Sequence, residues 1–268
     1  MPRTLCRFIL LALCCFHLVA CAAVRQQLGH SLVSLETEVA LGEKIAAQTE
    51  EQEKVLQNPR IQAYIRQLAQ PLISQGLLDR PEITYRITVL DNAKQINAFA
   101  IPGGHIYVYT GLLLAAENEA EVAGVLAHEI GHVVARHSAN QLASQVGLQL
   151  LTEVALGQES EELAAEIAAW ANTGAMARFS RDDERQADSY AVKYLTASGY
   201  EPRGLITFFA KMRQLEAGKR SELENLLASH PPTDERMQRL EKLIAKAGDP
   251  GGKTNAPHYR TQLRSLKR

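Results

Sequence analysis

Asn118-Glu119-Ala120-Glu121-Val122-Ala123-Gly124-Val125-Leu126-Ala127-His128-Glu129-Ile130-Gly131-His132-Val133 is the stretch that decides the reading of this chain. Asn118 is a helix N-cap residue, and Glu121 three positions later completes a capping-box-like start. Val122, Val125, Leu126, Ile130 and Val133 then recur at helical spacing. On such a helix His128 and His132 are one turn apart, so both imidazoles leave the same face at a separation suited to a single tetrahedral metal ion. Glu129 falls beside that metal, where a carboxylate can take a proton from metal-acidified water and pass it to a leaving group. The rival reading is chance spacing on an amphipathic helix. The cap signal argues against it, and so does Gly131, which costs about 1 kcal/mol relative to Ala inside a helix and points to close approach by another segment.

Two histidines do not complete a catalytic zinc site, which normally uses three protein ligands and leaves one position for water. The best third ligand is Glu184, in Arg181-Asp182-Asp183-Glu184-Arg185-Gln186-Ala187-Asp188. Asp188 lies one helical turn further on the same face, suited to accept a hydrogen bond from the far nitrogen of a ligand histidine and so fix its tautomer. By spacing alone this segment reads equally well as a charged, solvated helix face.

Around these motifs the chain is mostly helical. Helical patterns cover Leu35 to Leu56, Ile61 to Ile73, residues 139–156 and 160–177, and segments from about Arg181 to Ala197, Pro202 to Ala217 and Thr233 to Ala247. Between Pro81 and Asn118 the texture changes. Ile83 to Leu90 alternates apolar and polar residues, and Ile96 to Ile101 and His105 to Tyr109 are further strands joined by Pro102-Gly103-Gly104. Together they predict a small antiparallel sheet beside the metal helix. Asp249-Pro250-Gly251-Gly252 ends the packed part, leaving a flexible basic tail over residues 248–268.

A hydrophobic share of 46% with 22% charged residues in 268 describes a globular chain, and 29 basic against 30 acidic residues show no net basic character. With no basic stripe carrying interleaved aromatics, nucleic acid is not expected as a partner. The N-terminus reads as an export signal over residues 1–20, with Arg3 and Arg7 ahead of the apolar run Phe8 to Ala20. Leu18-Val19-Ala20-Cys21 resembles the lipobox of bacterial lipoproteins, which implies cleavage before Cys21 and lipidation of its thiol. Residues 21–34 would then be a lipidated tether and 35–247 the folded domain. All cysteines (Cys6, Cys14, Cys15 and Cys21) fall at or before this point, so the mature fold would contain no disulfide. Ala22 after the cysteine implies the outer membrane, periplasmic side, for a Gram-negative source. The rivals are an uncleaved hydrophobic anchor and a plain signal peptide.

A His-Glu-x-x-His helix followed by a separate helix with Glu-x-x-Ala-Asp resembles the M48 family of zinc metallopeptidases. The motifs here are His128-Glu129-Ile130-Gly131-His132 and Glu184-Arg185-Gln186-Ala187-Asp188. Asn97-Ala98-Phe99-Ala100-Ile101-Pro102-Gly103-Gly104, Ile106-Tyr107-Val108 and Phe179-Ser180-Arg181 agree with that family too, so the resemblance covers roughly residues 35 to 245. Within the family the chain is most similar to the short periplasmic lipoproteins without a repeat domain. The resemblance implies an α+β, mostly helical, zincin-like fold and one Zn2+ per chain on His128, His132 and Glu184. It also implies that Asn97, Ala98, Phe99 and Ala100, on an edge strand, pair with extended substrate. His230, in Ser229-His230-Pro231-Pro232, matches a position where a histidine lies near the metal on a mobile segment; it would either cap zinc in a closed state or help stabilise the oxyanion. Arg236 is a second candidate oxyanion donor.

His137, near the C-terminus of the metal helix, reads as a favourable partner of the helix dipole rather than a ligand. The apolar, alanine-rich stretch 138–177 reads either as two core helices or as a lid over the cleft. The function implied is a lipid-anchored endopeptidase acting on periplasmic or outer-membrane proteins. A chaperone or assembly factor for outer-membrane proteins, acting mainly by binding, is the rival from another class. A purely structural zinc lipoprotein is a poorer third, since it would give Glu129 no role.

Overall fold

The helix that opens at Asn118 is the one around which the rest of the molecule is arranged. In the computed structural model, which describes residues 33–74, 77–158, 160–173 and 178–266, it is α4 (Glu119–Val134), and every one of its residues is buried. The Asn118 side chain accepts from the Glu121 N–H at 3.1 Å, while the Glu121 carboxylate reaches back to Glu117 N–H at 2.9 Å, one residue before the cap. The start is therefore capped from both sides, with the reciprocal bond displaced by one position. The export signal, Cys21 and most of the tether lie outside the described residues. Among the described residues no helix is long and apolar enough to cross a membrane.

Before α4 the chain forms α1 (Leu35–Gln52), α2 (Pro59–Ala69), β1 (Arg86–Leu90), β2 (Ala98–Ile101), a 3-10 turn at Pro102–Gly104, β3 (His105–Tyr109) and the short α3 (Thr110–Ala115). The sheet has the order β1-β3-β2 and is mixed rather than antiparallel throughout: β2 runs antiparallel to β3, but β1 runs parallel to it. Alternation had specified the faces of the first strand, which period-2 patterning does, but not its direction. Direction is set by the connection, because the chain leaves β1, lays β2 on the far edge, and returns between them through the tight turn in which Gly103 has φ of 76°. The free edge of β1 is closed by Gln62 of α2, whose amide both accepts from Val89 N–H and donates to Val89 C=O, which removes a template for unwanted strand pairing.

The two sheet faces feed two cores. Ile87, Val89, Ala98, Ala100, Ile106 and Val108 face α4 and the main cluster, whereas Phe99, Ile101, Tyr107 and Tyr109 face α1 and the second cluster, which includes Leu142, Leu163 and Trp170. Those last residues come from α5 (His137–Ala155) and α6 (Glu161–Thr173), so the stretch between the two metal motifs packs on the sheet as helices. Arg136 adopts a left-handed φ of 61° at the corner between α4 and α5, and Gly147 breaks α5 at φ 75°.

Next comes α7 (Arg181–Ser198), whose N-terminus carries a full capping box between Ser180 and Asp183. α7 crosses α4 at Gly131, where a Cβ would lie 2.8 Å from the Ala187 carbonyl oxygen. α8 (Arg203–Ser229) runs well past the expected end near Ala217. The apolar stripe resumes beyond Ala217 with Leu223 and Leu226, both buried, and carries the helix on. The extension delivers His230 to the end of α8, ahead of α9 (Asp234–Lys246).

The C-terminal segment is not a loose tail. It forms α10 (Ala256–Gln262) and a 3-10 turn, with Tyr259 and Leu263 buried in the main core. Thr254 C=O accepts from Glu119 N–H, Asn255 and His258 hold the Glu119 carboxylate, and Tyr259 Oη donates to Leu113 C=O. Asp249 to Gly252 is thus a turn back, not an end: Tyr259, Leu263 and Leu266 recur at helical spacing and draw the segment onto the start of α4.

Candidate metal centre

α4 brings His128 Nε2 and His132 Nε2 to 3.1 Å of each other. From α7, Glu184 presents Oε2 at 3.5 Å from His128 Nε2 and Oε1 at 3.3 Å from His132 Nε2. From the end of α8, His230 Nδ1 lies 3.3 Å from His128 Nε2 and 2.9 Å from Glu184 Oε1. The ligand atoms of His128, His132, Glu184 and His230 all fall within 4.8 Å of one another, and all four residues are buried. Imidazole nitrogens and a carboxylate oxygen converging on one point in a dry interior need a cation among them. The set fits one zinc ion, a metal that prefers four nitrogen, sulfur or oxygen donors in a tetrahedron.

The electrostatics agree. Burial works against a charged His128, yet the Glu184 and Asp188 carboxylates outweigh it and raise this imidazole to about 9, whereas at His132 burial wins and holds it well below its usual value. Burial opposes the charge on Glu184 as well, but His230, Arg236 and His128 together push it well below the ordinary carboxylate range. Glu129 moves the other way: burial raises it, with His230, His128 and the Ala100 N–H pulling only partly back. Its Oε1 sits 3.6 Å from His230 Nε2, at the edge of the donor set. A buried carboxylate with a raised pKa is poised for proton transfer nearer neutrality.

Asp188 lies where a partner of a ligand histidine should, its Oδ1 3.0 Å from His128 Nδ1. Arg236 differs from the expectation of an oxyanion donor. Its guanidinium grips Asp188 through Nε at 2.9 Å and Nη2 at 2.7 Å, and Nη1 meets Glu184 Oε2 at 2.5 Å and Pro231 C=O at 3.2 Å. With its fork spent on two carboxylates and a carbonyl, and its plane over Phe209, Arg236 holds ligands in place rather than facing a reacting carbonyl.

β2 is an edge strand, as expected for Asn97 to Ala100. The Tyr109 N–H to Asn97 C=O bond and the β2–β3 register turn the backbone groups of Ala98 and Ala100 away from β3, toward the open edge. That edge is partly filled. Ile96 N–H donates to Glu222 C=O on α8, and Ser138 Oγ donates to Ala100 C=O. Beside Glu184, a cavity of about 310 Å³ is lined by Phe179, Arg181, Pro231 and Thr233 among others.

One member of the site escaped sequence reasoning. His137, read as a helix-dipole partner, is buried against the centre with Nδ1 2.9 Å from His132 Nδ1, and Phe179 stacks on His132 at 4.0 Å between centroids. No helical spacing points to it, because the left-handed turn at Arg136 separates α4 from α5 and swings His137 back under the metal helix.

A His-Glu-x-x-His helix crossed by a second helix that supplies a carboxylate to the same point defines a zincin-like metallopeptidase fold. The chain belongs to peptidase family M48, whose model matches residues 56–244. It is 30% identical over 214 residues to the beta-barrel assembly-enhancing protease of Yersinia pestis and 29% identical over 216 residues to that of Escherichia coli (strain K12), covering 76% and 77% of this chain. It is also 30% identical over 153 residues, 56% of this chain, to metalloprotease YcaL of Escherichia coli (strain K12). The matches span 43%, 44% and 59% of those three relatives, so the chain covers less than two thirds of each.

Proposed function

We propose that this chain is a zinc-dependent endopeptidase that hydrolyses peptide bonds in proteins of the Gram-negative envelope. The convergence of His128, His132 and Glu184 beside the buried Glu129 is the observation that carries this reading. Bound at those three ligands, zinc would supply Lewis acidity, polarising the scissile carbonyl and acidifying a water. Glu129 accepts that water's proton and returns it to the departing amine, with no covalent intermediate. Asp188 orients His128, and Arg236 holds Asp188 and Glu184. Asn97 to Ala100 align an extended substrate by main-chain pairing, with Ala98 offering the outward groups.

His230 supplies a fourth donor, and a third nitrogen, to the same point, and a structural zinc with four protein ligands has no position for substrate. In this reading the arrangement is a closed one, and cleavage requires His230 to withdraw. Lipidation at Cys21, an outer-membrane location on the periplasmic side and work alongside β-barrel assembly machinery complete the proposal; the names of the Yersinia and Escherichia relatives support the last two. The closed donor set also favours the second reading, a factor that assists outer-membrane protein assembly mainly by binding. Complementation of a deletion strain separates them: Glu129→Gln fails if proteolysis is the function and succeeds if binding is. Metal analysis of the purified chain is the companion test, with zinc retained by Glu129→Gln and lost by His128→Ala.

A further inference from the structure

The two histidines of α4 are oriented by different chemistry. His128 turns its Nδ1 to a carboxylate, Asp188, at 3.0 Å. His132 turns its Nδ1 to another imidazole, His137, at 2.9 Å. Since Nε2 of His132 is the atom that faces His128 and Glu184, a metal bound there leaves the His132 proton on Nδ1. His137 Nδ1 must then accept, so the His137 proton sits on Nε2. That atom lies 3.2 Å from Gln186 Oε1 and 3.3 Å from Asp183 Oδ1, both acceptors on α7. Every donor in the row has an acceptor, and the row ends on the helix that carries Glu184. Asp183 is itself fixed by the Ser180 capping box, and the neighbour of His137, Ser138, is bonded to Ala100 C=O. The position of His137 is therefore set from three elements.

Resting on the zinc reading above, we propose that His137 is a positioning residue for the metal. It accepts the Nδ1 proton of His132, passes its own Nε2 proton toward Asp183 and Gln186, and so locks His132 in the tautomer that offers Nε2 to zinc. Partners that orient a metal-ligating histidine in this way are worth about 10–100-fold in metal affinity.

The test separates acceptor from filler. His137→Asn keeps an acceptor at the δ position but loses ring volume; His137→Leu keeps apolar volume but loses the acceptor. Zinc affinity of the full chain is read by competition with a chromophoric chelator, and ligand geometry by the visible spectrum of the cobalt-substituted protein. The expected result is affinity and spectrum close to wild type for His137→Asn, with about 10–100-fold weaker binding and a changed spectrum for His137→Leu. Wild-type zinc affinity in His137→Leu, or loss in His137→Asn with retention in His137→Leu, would overturn it and leave His137 a packing residue. If wild type itself binds no zinc, the metallopeptidase reading falls first; if only the variants behave unexpectedly, that reading stands and the role of His137 does not.

Discussion

Arg236 shows how much of this site depends on a single side chain bonded to its other charged members. It is buried between Asp188 and Glu184, so its charge offsets two carboxylates that are themselves buried. Removing one partner of a buried ionic network costs about 3–5 kcal/mol, because the remaining charges stay desolvated. Arg236→Ala is expected to lower stability by about that amount in denaturant titration, and Arg236→Lys to recover little of it, since an ammonium cannot grip a carboxylate through two parallel bonds. At this scale the sequence is informative where a helix alone sets geometry: four-residue spacing brings His128 to His132, whereas Glu184 is singled out by its motif's resemblance and not by spacing. The sequence points to Arg236 as an oxyanion donor and to His137 as a helix-dipole partner, but not to the partners the structure gives them. Their partners are fixed by a helix crossing and a left-handed corner, neither of which leaves a periodic trace.

The crossing of α4 and α7 is what turns two motifs into one centre. Intrinsic propensity predicts that Gly131→Ala stabilises α4 by about 1 kcal/mol. The structure predicts the opposite, because the added Cβ would stand 2.8 Å from Ala187 C=O and 3.1 Å from Tyr190 Cβ. Overpacking of this kind costs about 1–3 kcal/mol, and the shift of α7 that relieves it moves Glu184 away from His128 and His132. Gly131→Ala should therefore both melt earlier and bind zinc more weakly; a higher melting temperature with unchanged zinc affinity would refute the close crossing. The interior glycine was the sequence's one hint of this contact. Strand direction was not legible, since alternation marks which face of β1 is apolar and says nothing of whether the next strand returns beside it or beyond it.

At the scale of the molecule, the C-terminal segment closes the structure over the start of the metal helix. Tyr259 is nearly inaccessible at 2% exposure. Truncating a buried aromatic of that size costs about 3–5 kcal/mol, so Tyr259→Ala is expected to destabilise the whole chain in a single unfolding transition rather than merely release a tail. Retention of wild-type stability would mean that α10 is dispensable. Zinc acts over the same distances: a ligand that binds only the folded state adds stability as its concentration exceeds its dissociation constant, so chelation should lower the melting temperature of wild type and leave that of His128→Ala unchanged. The mostly helical character and the small sheet were legible from patterning, and the zincin-like fold from the resemblance carried by the two motifs. The packed C-terminus was not, because a Pro-Gly-Gly turn looks the same whether the chain beyond it returns or leaves.

Cleavage of an unfolded outer-membrane β-barrel protein by zinc-loaded wild type and zinc-loaded Glu129→Gln, side by side, addresses the central claim most directly. Wild type is expected to produce internal fragments and Glu129→Gln none, with one zinc bound per chain in both; cleavage by Glu129→Gln at the wild-type rate would contradict the assignment of Glu129 and the mechanism built on it.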